Sequence, residues 1–454
     1  MRQKTKRNNK KQIDMSGIII THRIEQVEKL KHRGLSHKCV KRHGYHIAHH
    51  WLPIQTQPEH DEAQPFEYDD GSLLLFNGEI FNYPREFNSD AEYLKDLFGL
   101  INIIEIAREA NNWDGFWSIV FITPRGTMYC FTDPLGKKQL YYNTRGEICS
   151  EIRPLISDIS EWDPLFRSSV TKWGYNKDDR TPYKDIKRIE PNKMYVFSGG
   201  KILNIWPYEY FDWSIAPEAT DLEEALYSSV QRRLISKKEE VAALVSGGLD
   251  SSIISYILSD LGRSVSYYTT DNLEDLNYVR KLSEQLKFNP HIIHYSMDSA
   301  DFTDALEWNE TPIDLGSMVP EHKLISGIKE RIVLTGDGAD ELFGGYRRID
   351  QYDSQYSDVF EELTYYHLPR LDRASMRYTV EMRNPFLSHD IVKLALSLPL
   401  EKRTHKKILR DIFRGKLPDE ILDRPKLPLK NDSIRKDPMK YRLKLVQTFY
   451  DKQL

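Results

Sequence analysis

The stretch VAALVSGGLDSSIISYILSDLG, residues 241–262, decides the fold. Val241–Val245 is an apolar run of strand length, and Ser251–Leu261 reads as a helix closed by Gly262. Between them stands Ser246-Gly247-Gly248-Leu249-Asp250-Ser251-Ser252, at the point where the strand ends and the helix begins. Such a turn aims backbone N–H groups outward, and the helix dipole adds about half a positive charge at its N-terminus. Glycines let an anion approach the backbone without a Cβ in the way. A plain capped turn does not need the full heptad, so the segment is read as a phosphate site. It is not a Walker loop, because the Gly-Lys-Ser/Thr ending is absent.

Outward from this motif the rhythm persists. SVSYYTT (264–270), a helical 275–287 segment, HIIHYS (291–296), a helical stretch to about 330 and RIVLTG (331–336) alternate strand with helix. That alternation predicts a parallel sheet with crossover helices. Residues 355–454 read as helical. A second motif, Thr335-Gly336-Asp337-Gly338-Ala339-Asp340-Glu341-Leu342-Phe343-Gly344-Gly345-Tyr346, follows the strand RIVLT. Three carboxylates among glycines at a strand end can hold a hard cation near phosphates. Sheets of this kind bind ligands at the carboxyl ends of their strands, where both motifs fall.

Ahead of residue 205 the pattern differs. SGIII (16–20), SLLLFNGEI (72–80), WSIVFI (117–122) and TMYCFT (127–132) are short strands punctuated by turns, with helical periods near 89–110. This predicts a strand-rich α+β domain. The expected division is a basic disordered extension at 1–14, a front domain at 15–205, a linker at 206–220 and a nucleotide domain at 221–454. The 454 residues suit two or three domains, and 40% hydrophobic with 29% charged residues excludes disorder as the main state. No apolar run reaches the ~18–20 residues of a membrane span, and no signal peptide is expected. Three cysteines without a CxxC pair point to a reducing, cytoplasmic setting. The net charge of −4 argues against a nucleic-acid partner, apart from the first fourteen residues, which alone carry +5.

The two motifs, together with Leu371-Asp372-Arg373-Ala374-Ser375-Met376 and Val380-Glu381-Met382-Arg383-Asn384-Pro385-Phe386-Leu387, resemble those of the asparagine synthetase family. SGGLDSS is similar to the pyrophosphate loop of the ATP-pyrophosphatases. Residues 15–145 resemble the family's N-terminal-nucleophile glutaminase, through HRG (32–34), Ala63-Gln64-Pro65, FNGEIFNY (76–83), SDAE (89–92), DGFW (114–117) and DPLGKKQLYY (133–142). The fold this implies is an α+β Ntn-hydrolase-like sandwich followed by an α/β parallel-sheet synthetase domain of the adenine nucleotide alpha hydrolase type.

The resemblance implies an ATP-dependent carbon–nitrogen ligase. Aspartate's side-chain carboxylate would be activated as an acyl-adenylate with release of pyrophosphate, and nitrogen from ammonia or glutamine would displace AMP. Ser246, Gly247, Gly248, Ser251 and Ser252 would hold pyrophosphate. Asp250 and Asp340 match the family's Mg²⁺ ligands. Thr269, Thr335 and Gly336, at neighbouring strand ends, would flank adenosine. Asp337 would orient the amine, and Lys426, in Arg424-Pro425-Lys426, would stabilise charge at the reacting centre. A homodimer is a further expectation. Relatives that form β-lactams usually carry Tyr where Asp337 stands. A tailoring enzyme acting on a peptide, a β-amino acid or a modified nucleotide is the alternative within the class, and a non-catalytic relative is the alternative outside it.

The front half departs from the pattern at two positions. The family begins Met-Cys-Gly, whereas Met15-Ser16-Gly17 stands here, so Ser16 replaces the nucleophilic thiol. A serine hydroxyl depends far more on a base, and residues 1–14 would occupy the α-amine that supplies it. Trp51 stands where the family's arginine would pair with the glutamine carboxylate. Asn77 and Gly78 would be oxyanion donors, and Glu79 and Asp90 would hold the glutamine amine. The front domain is therefore either a structural relic or a site with Ser16 as an N-terminal nucleophile after initiation at Met15.

Overall fold

The computed structural model describes residues 16–34, 36–51, 63–207, 221–236, 240–295, 299–313, 315–345, 361–425 and 438–452. The basic extension, most of the expected linker and Lys426 lie outside the described residues.

The front domain is built of two six-stranded antiparallel sheets laid face to face. One runs Ile186–Arg188, Tyr141–Asn143, Ile148–Cys149, Gly17–Thr21, Tyr45–Trp51, Ser36–Arg42 across its width. The other runs Lys201–Pro207, Lys193–Ser198, Met128–Thr132, Gly115–Ile122, Leu73–Ile80, Phe66–Glu67. Leu73–Phe76 shows why the strands read as unbroken apolar runs. Leu73 and Leu75 point into the core between the sheets with Ile18, Ile20 and Val120. Leu74 and Phe76 point the other way, onto the helix Asp90–Leu100 through Ala91, Leu94 and Phe98. The opposite sheet is likewise covered, its Ile19 and Ala48 lying against Val27 and Leu30 of the 3-10 helix Ile24–Arg33. Both faces of the central strands thus exclude water, which favours continuous hydrophobic runs there over alternation, while the edge strand Lys201–Pro207 stays exposed.

The second domain carries a five-stranded, wholly parallel sheet in the order His291–Ile293, Ser266–Thr270, Val241–Leu244, Ile332–Leu334, Glu381–Arg383. Helix Leu249–Asp260 covers one face, with Ile253 and Ile257 on Ala243 and Leu334. Leu324, Ile325 and Leu371 cover the other, on Ala242, Val333 and Met382. Chain direction across the sheet reverses at Val241–Leu244, between its neighbours Ser266–Thr270 and Ile332–Leu334. That is the switch point at which such sheets open a ligand crevice.

Two expectations are corrected. The segment 355–454 is not helical throughout: Glu381–Arg383 is the fifth strand. Three residues between helices are too few to show a period of two. Thr269 and Thr335 do not sit on adjacent strands, because the strand Val241–Leu244 runs between theirs and they flank it from either side.

Buried charge joins the domains. Arg33 Nη2 donates to Asp372 Oδ2 at 3.3 Å and Arg33 Nε to Glu151 Oε1 at 2.5 Å, while Lys138 Nζ donates to Asp372 Oδ1 at 2.9 Å. Arg233 makes a two-pronged contact with Asp114 at 2.9 and 3.2 Å. The C-terminal helix Pro438–Lys452 returns to the front domain, its Leu445 and Phe449 packing with Phe166 and Val170.

Candidate active site

The strand Val241–Leu244 delivers Ser246–Ser252 to the crevice. Gly247 has φ +66°, and a Cβ there would lie 2.4 Å from Tyr278 Cβ, so the tight turn admits only glycine. Ser251 Oγ accepts from Ser246 N at 3.1 Å, and Gly248 N donates to Ser246 Oγ at 3.3 Å, which holds the loop open around its own hydroxyls. Ser252 Oγ is buried without a hydrogen-bond partner among the described residues. Arg424 Nη1 donates to the Ser246 carbonyl at 2.9 Å, and Arg424 Nη2 reaches Asp275 at 2.5 Å. The Arg424-Pro425 segment is thereby fixed against the loop.

The second motif arrives on the neighbouring strand. Thr335 Oγ1 accepts from Asn384 Nδ2 at 2.9 Å and from Asp337 N at 3.3 Å, and its own hydroxyl donates to the Asp337 carboxylate. Asp340 and Asp250, ninety residues apart, are brought together on one cation. Lys406 Nζ lies 2.6 Å from both oxygens of Asp250 and 2.5 Å from Asp340 Oδ1, and the three side chains are 5%, 12% and 10% exposed. The backbone bends sharply to place it there. His405 and Lys406 both have positive φ, 56° and 59°, held by His405 N to Gly344 O at 2.9 Å and Lys406 N to Phe343 O at 2.8 Å. Two successive non-glycine residues in that region cost of order 1–3 kcal/mol each and persist at functional sites. A Cβ on Gly345 would collide with Asp340 Oδ1 and Lys406 Cε, so glycine there makes room for the pair.

Sequence reasoning missed Lys406. Asp250 and the acidic 337–341 block do imply a compensating cation, and Lys406, Lys407 and Arg410 cluster about the start of the helix Lys407–Phe413. Only the left-handed turn selects which of them enters.

The hard-oxygen pair Asp250–Asp340, bridged by an ammonium, fits a small divalent cation. Mg²⁺ is commonly held by one or two carboxylates together with substrate phosphates. Among the described residues no group of three or more His, Cys, Asp or Glu could hold a metal without such help.

In the front domain Ser16 is half-buried at the head of strand Gly17–Thr21, its carbonyl 3.3 Å from Arg33 Nη1. That strand packs against Leu73–Ile80, which carries Asn77, Gly78 and Glu79. Asn77 is 2% exposed, and its Nδ2 has no hydrogen-bond partner among the described residues, as an oxyanion donor requires. Gly78 is required by backbone and packing together: its φ is +147°, and a Cβ would sit 2.0 Å from the Phe116 carbonyl oxygen. Glu79 lies 3.7 Å from Arg383 of the second domain. Asp90 accepts from Ile80 N and Ala91 N, both at 2.8 Å, and so ties the strand end to the helix start. His49 is fully buried beside this region and is kept neutral, burial pushing its imidazole down to about 3.

A glutamine-amidotransferase sandwich coupled to a parallel-sheet nucleotide domain defines an ATP-dependent ligase. Residues 221–364 and 350–447 match the asparagine synthase family model, and residues 15–209 match that of the glutamine amidotransferase domain. The chain belongs to the asparagine synthase family. A Methanocaldococcus jannaschii protein provisionally named asparagine synthetase (glutamine-hydrolyzing) 1 is 27% identical over 442 residues, covering 80% of this chain and 78% of that one. The Gallus gallus asparagine synthetase (glutamine-hydrolyzing) is 24% identical, covering 78% and 71%. Asparagine synthetase (glutamine-hydrolyzing) 3 of Bacillus subtilis is 25% identical, covering 79% and 75%.

Proposed function

We propose that this ligase activates the side-chain carboxylate of aspartate with ATP, and that ammonia displaces AMP from the acyl-adenylate to give asparagine. The observation that carries the reading is Lys406 bridging Asp250 and Asp340 beside the SGG loop: it gathers anion-binding and cation-binding groups at one switch point. Ser246, Gly247, Gly248, Ser251 and the unpartnered Ser252 hydroxyl would hold the β- and γ-phosphates. Asp250 and Asp340 would hold Mg²⁺, which neutralises the pyrophosphate leaving group when bound. Thr269, Thr335 and Gly336 would enclose adenosine, and Asp337 would orient the amine. Lys426 is two residues, at most about 7 Å of chain, beyond the anchored Arg424, a reach consistent with charge stabilisation at the reacting carbon. Catalysis here is chiefly positioning and charge compensation.

Free ammonia is the favoured nitrogen source. Ser16 lacks the thiol's nucleophilicity, Trp51 replaces the carboxylate-binding arginine, and Asp90 is engaged in holding the fold. Asn77, with its unpartnered Nδ2, supports the second reading, a working serine glutaminase.

Exchange of labelled pyrophosphate into ATP, dependent on aspartate and Mg²⁺, tests the activation step. Asp250→Asn and Asp340→Asn should each abolish it in folded protein. Full exchange in either variant removes that residue from the metal site.

A further inference from the structure

A cavity with about 40 Å³ of water-accessible space lies between the two domains, where ~10–15 Å³ suffices for one water. Gln139, Tyr141 and Arg188 of the front domain line it, with Asn309, Tyr365 and Arg373 of the second. None of the residues assigned above to ATP, metal, amine or glutamine does. Four buried polar atoms of this lining have no hydrogen-bond partner among the described residues: Gln139 Nε2, Arg188 Nε, Arg373 Nη2 and Asn309 Oδ1. All four residues are buried, Asn309 at 1% and Arg188 at 5% exposed.

The rest of each side chain is committed. Gln139 Oε1 accepts from the Tyr141 hydroxyl, and Asn309 Nδ2 donates to the Thr311 carbonyl at 3.0 Å. Arg373 Nη1 lies 3.0 Å from Glu310 Oε2. Arg188 Nη1 donates to Thr364 O at 2.7 Å and Nη2 to Gly136 O at 2.8 Å, so its partners are carbonyls. No ion pair joins that guanidinium to a carboxylate among the described residues. The nearby acids are already paired, Asp178 with Arg180 and Glu310 with Arg373. A buried guanidinium without a counter-charge opposes folding, and so does each orphaned polar atom beside it. A small anion in the cavity supplies what is missing.

We propose that this cavity binds inorganic hydrogen phosphate. Gln139, Arg188 and Arg373 present three N–H donors to three phosphate oxygens, and Arg188 supplies charge that no side chain neutralises. Asn309 Oδ1 is an acceptor, so the fourth oxygen must carry a proton to meet it. Both phosphate species present near neutral pH have such a P–OH group, whereas sulfate, of the same shape, has none. Two of the four groups belong to each domain, so the bound anion also ties the domains together.

The test is equilibrium dialysis of the full chain against labelled inorganic phosphate, with ATP and Mg²⁺ but no aspartate present to fill the Ser246–Ser252 loop. One phosphate per chain should bind, and sulfate should compete at least tenfold more weakly. Phosphate should also raise the urea midpoint, because it binds the folded chain alone. Gln139→Glu keeps the oxygen that Tyr141 uses and replaces the amide donor with a carboxylate. It should weaken phosphate at least tenfold and, in phosphate-free buffer, raise the urea midpoint by supplying the missing negative charge. Arg188→Gln should abolish both the binding and the response of the midpoint to phosphate. Absence of binding in the parent, equal affinity for sulfate, or unaltered binding in Gln139→Glu would overturn the assignment. A lower phosphate-free midpoint for Gln139→Glu would overturn it as well, since the cavity would then reject an anion.

Discussion

Lys406 Nζ sits 2.6 Å from each carboxylate oxygen of Asp250, delivered there by two consecutive left-handed residues. The ammonium occupies the place where a divalent cation would compete for the same carboxylates. Lys406→Met removes the ammonium from between two buried acidic groups. The variant should lose roughly 3–5 kcal/mol in EDTA, read as a lower urea midpoint. Millimolar Mg²⁺ should recover part of that loss. A midpoint indifferent to Mg²⁺ would show that Asp250 and Asp340 do not share a cation site.

Asp372 is the hinge of the domain interface, touched by Arg33 and Lys138 from the front domain. Those cations hold its carboxyl below the usual range even though burial opposes them. Asp372→Asn should take the carboxylate from Lys138 and leave Arg33 with Glu151 alone, costing about 3–5 kcal/mol. Calorimetry should then resolve two unfolding transitions. One unchanged transition would refute the electrostatic joint.

His49 and His50 set a pH limit. Burial pushes them down to about 3 and about 4, while an unfolded histidine titrates near 6.5. Below 6.5 the unfolded chain therefore takes up protons that the folded chain refuses. Their stabilisation is complete above pH 6.5 and drains away as the pH falls toward the folded values. Each histidine should cost the fold about 2 kcal/mol between pH 6.5 and 5, at 1.36 kcal/mol per unit. Urea midpoints at those two pH values measure it. His49→Gln should flatten the slope, and a slope equal to the parent's would contradict burial of a neutral ring.

How much of this was legible in the sequence depended on whether a local pattern carried the physics. SGGLDSS announced itself, because a glycine turn between an apolar strand and a helix has few other uses. The alternation from 241 to 336 gave four strands of the parallel sheet. Glu381–Arg383 escaped, being only three residues long and defined by pairing with Ile332–Leu334. Lys406 escaped because its selection over Lys407 is a matter of backbone handedness, visible only once Gly344 and Phe343 are in place. The sandwich was readable as strands, but the pairing order of twelve short strands is a long-range property.

Nitrogen supply divides the two domains' roles. Intact-mass measurement of the native protein should show residues 1–14 present, which leaves Ser16 without a free α-amine. A native N-terminus at Ser16 would restore the glutaminase reading.

The most direct measurement follows pyrophosphate, AMP and asparagine together in a reaction of ATP, Mg²⁺ and L-aspartate, with ammonium chloride or glutamine as nitrogen donor. Equimolar pyrophosphate, AMP and asparagine with ammonia, and no more than background with glutamine, is the expected result. Folded protein that releases no pyrophosphate with either donor would contradict the assignment of the Ser246–Ser252 loop and the Asp250–Asp340 pair to aspartate activation.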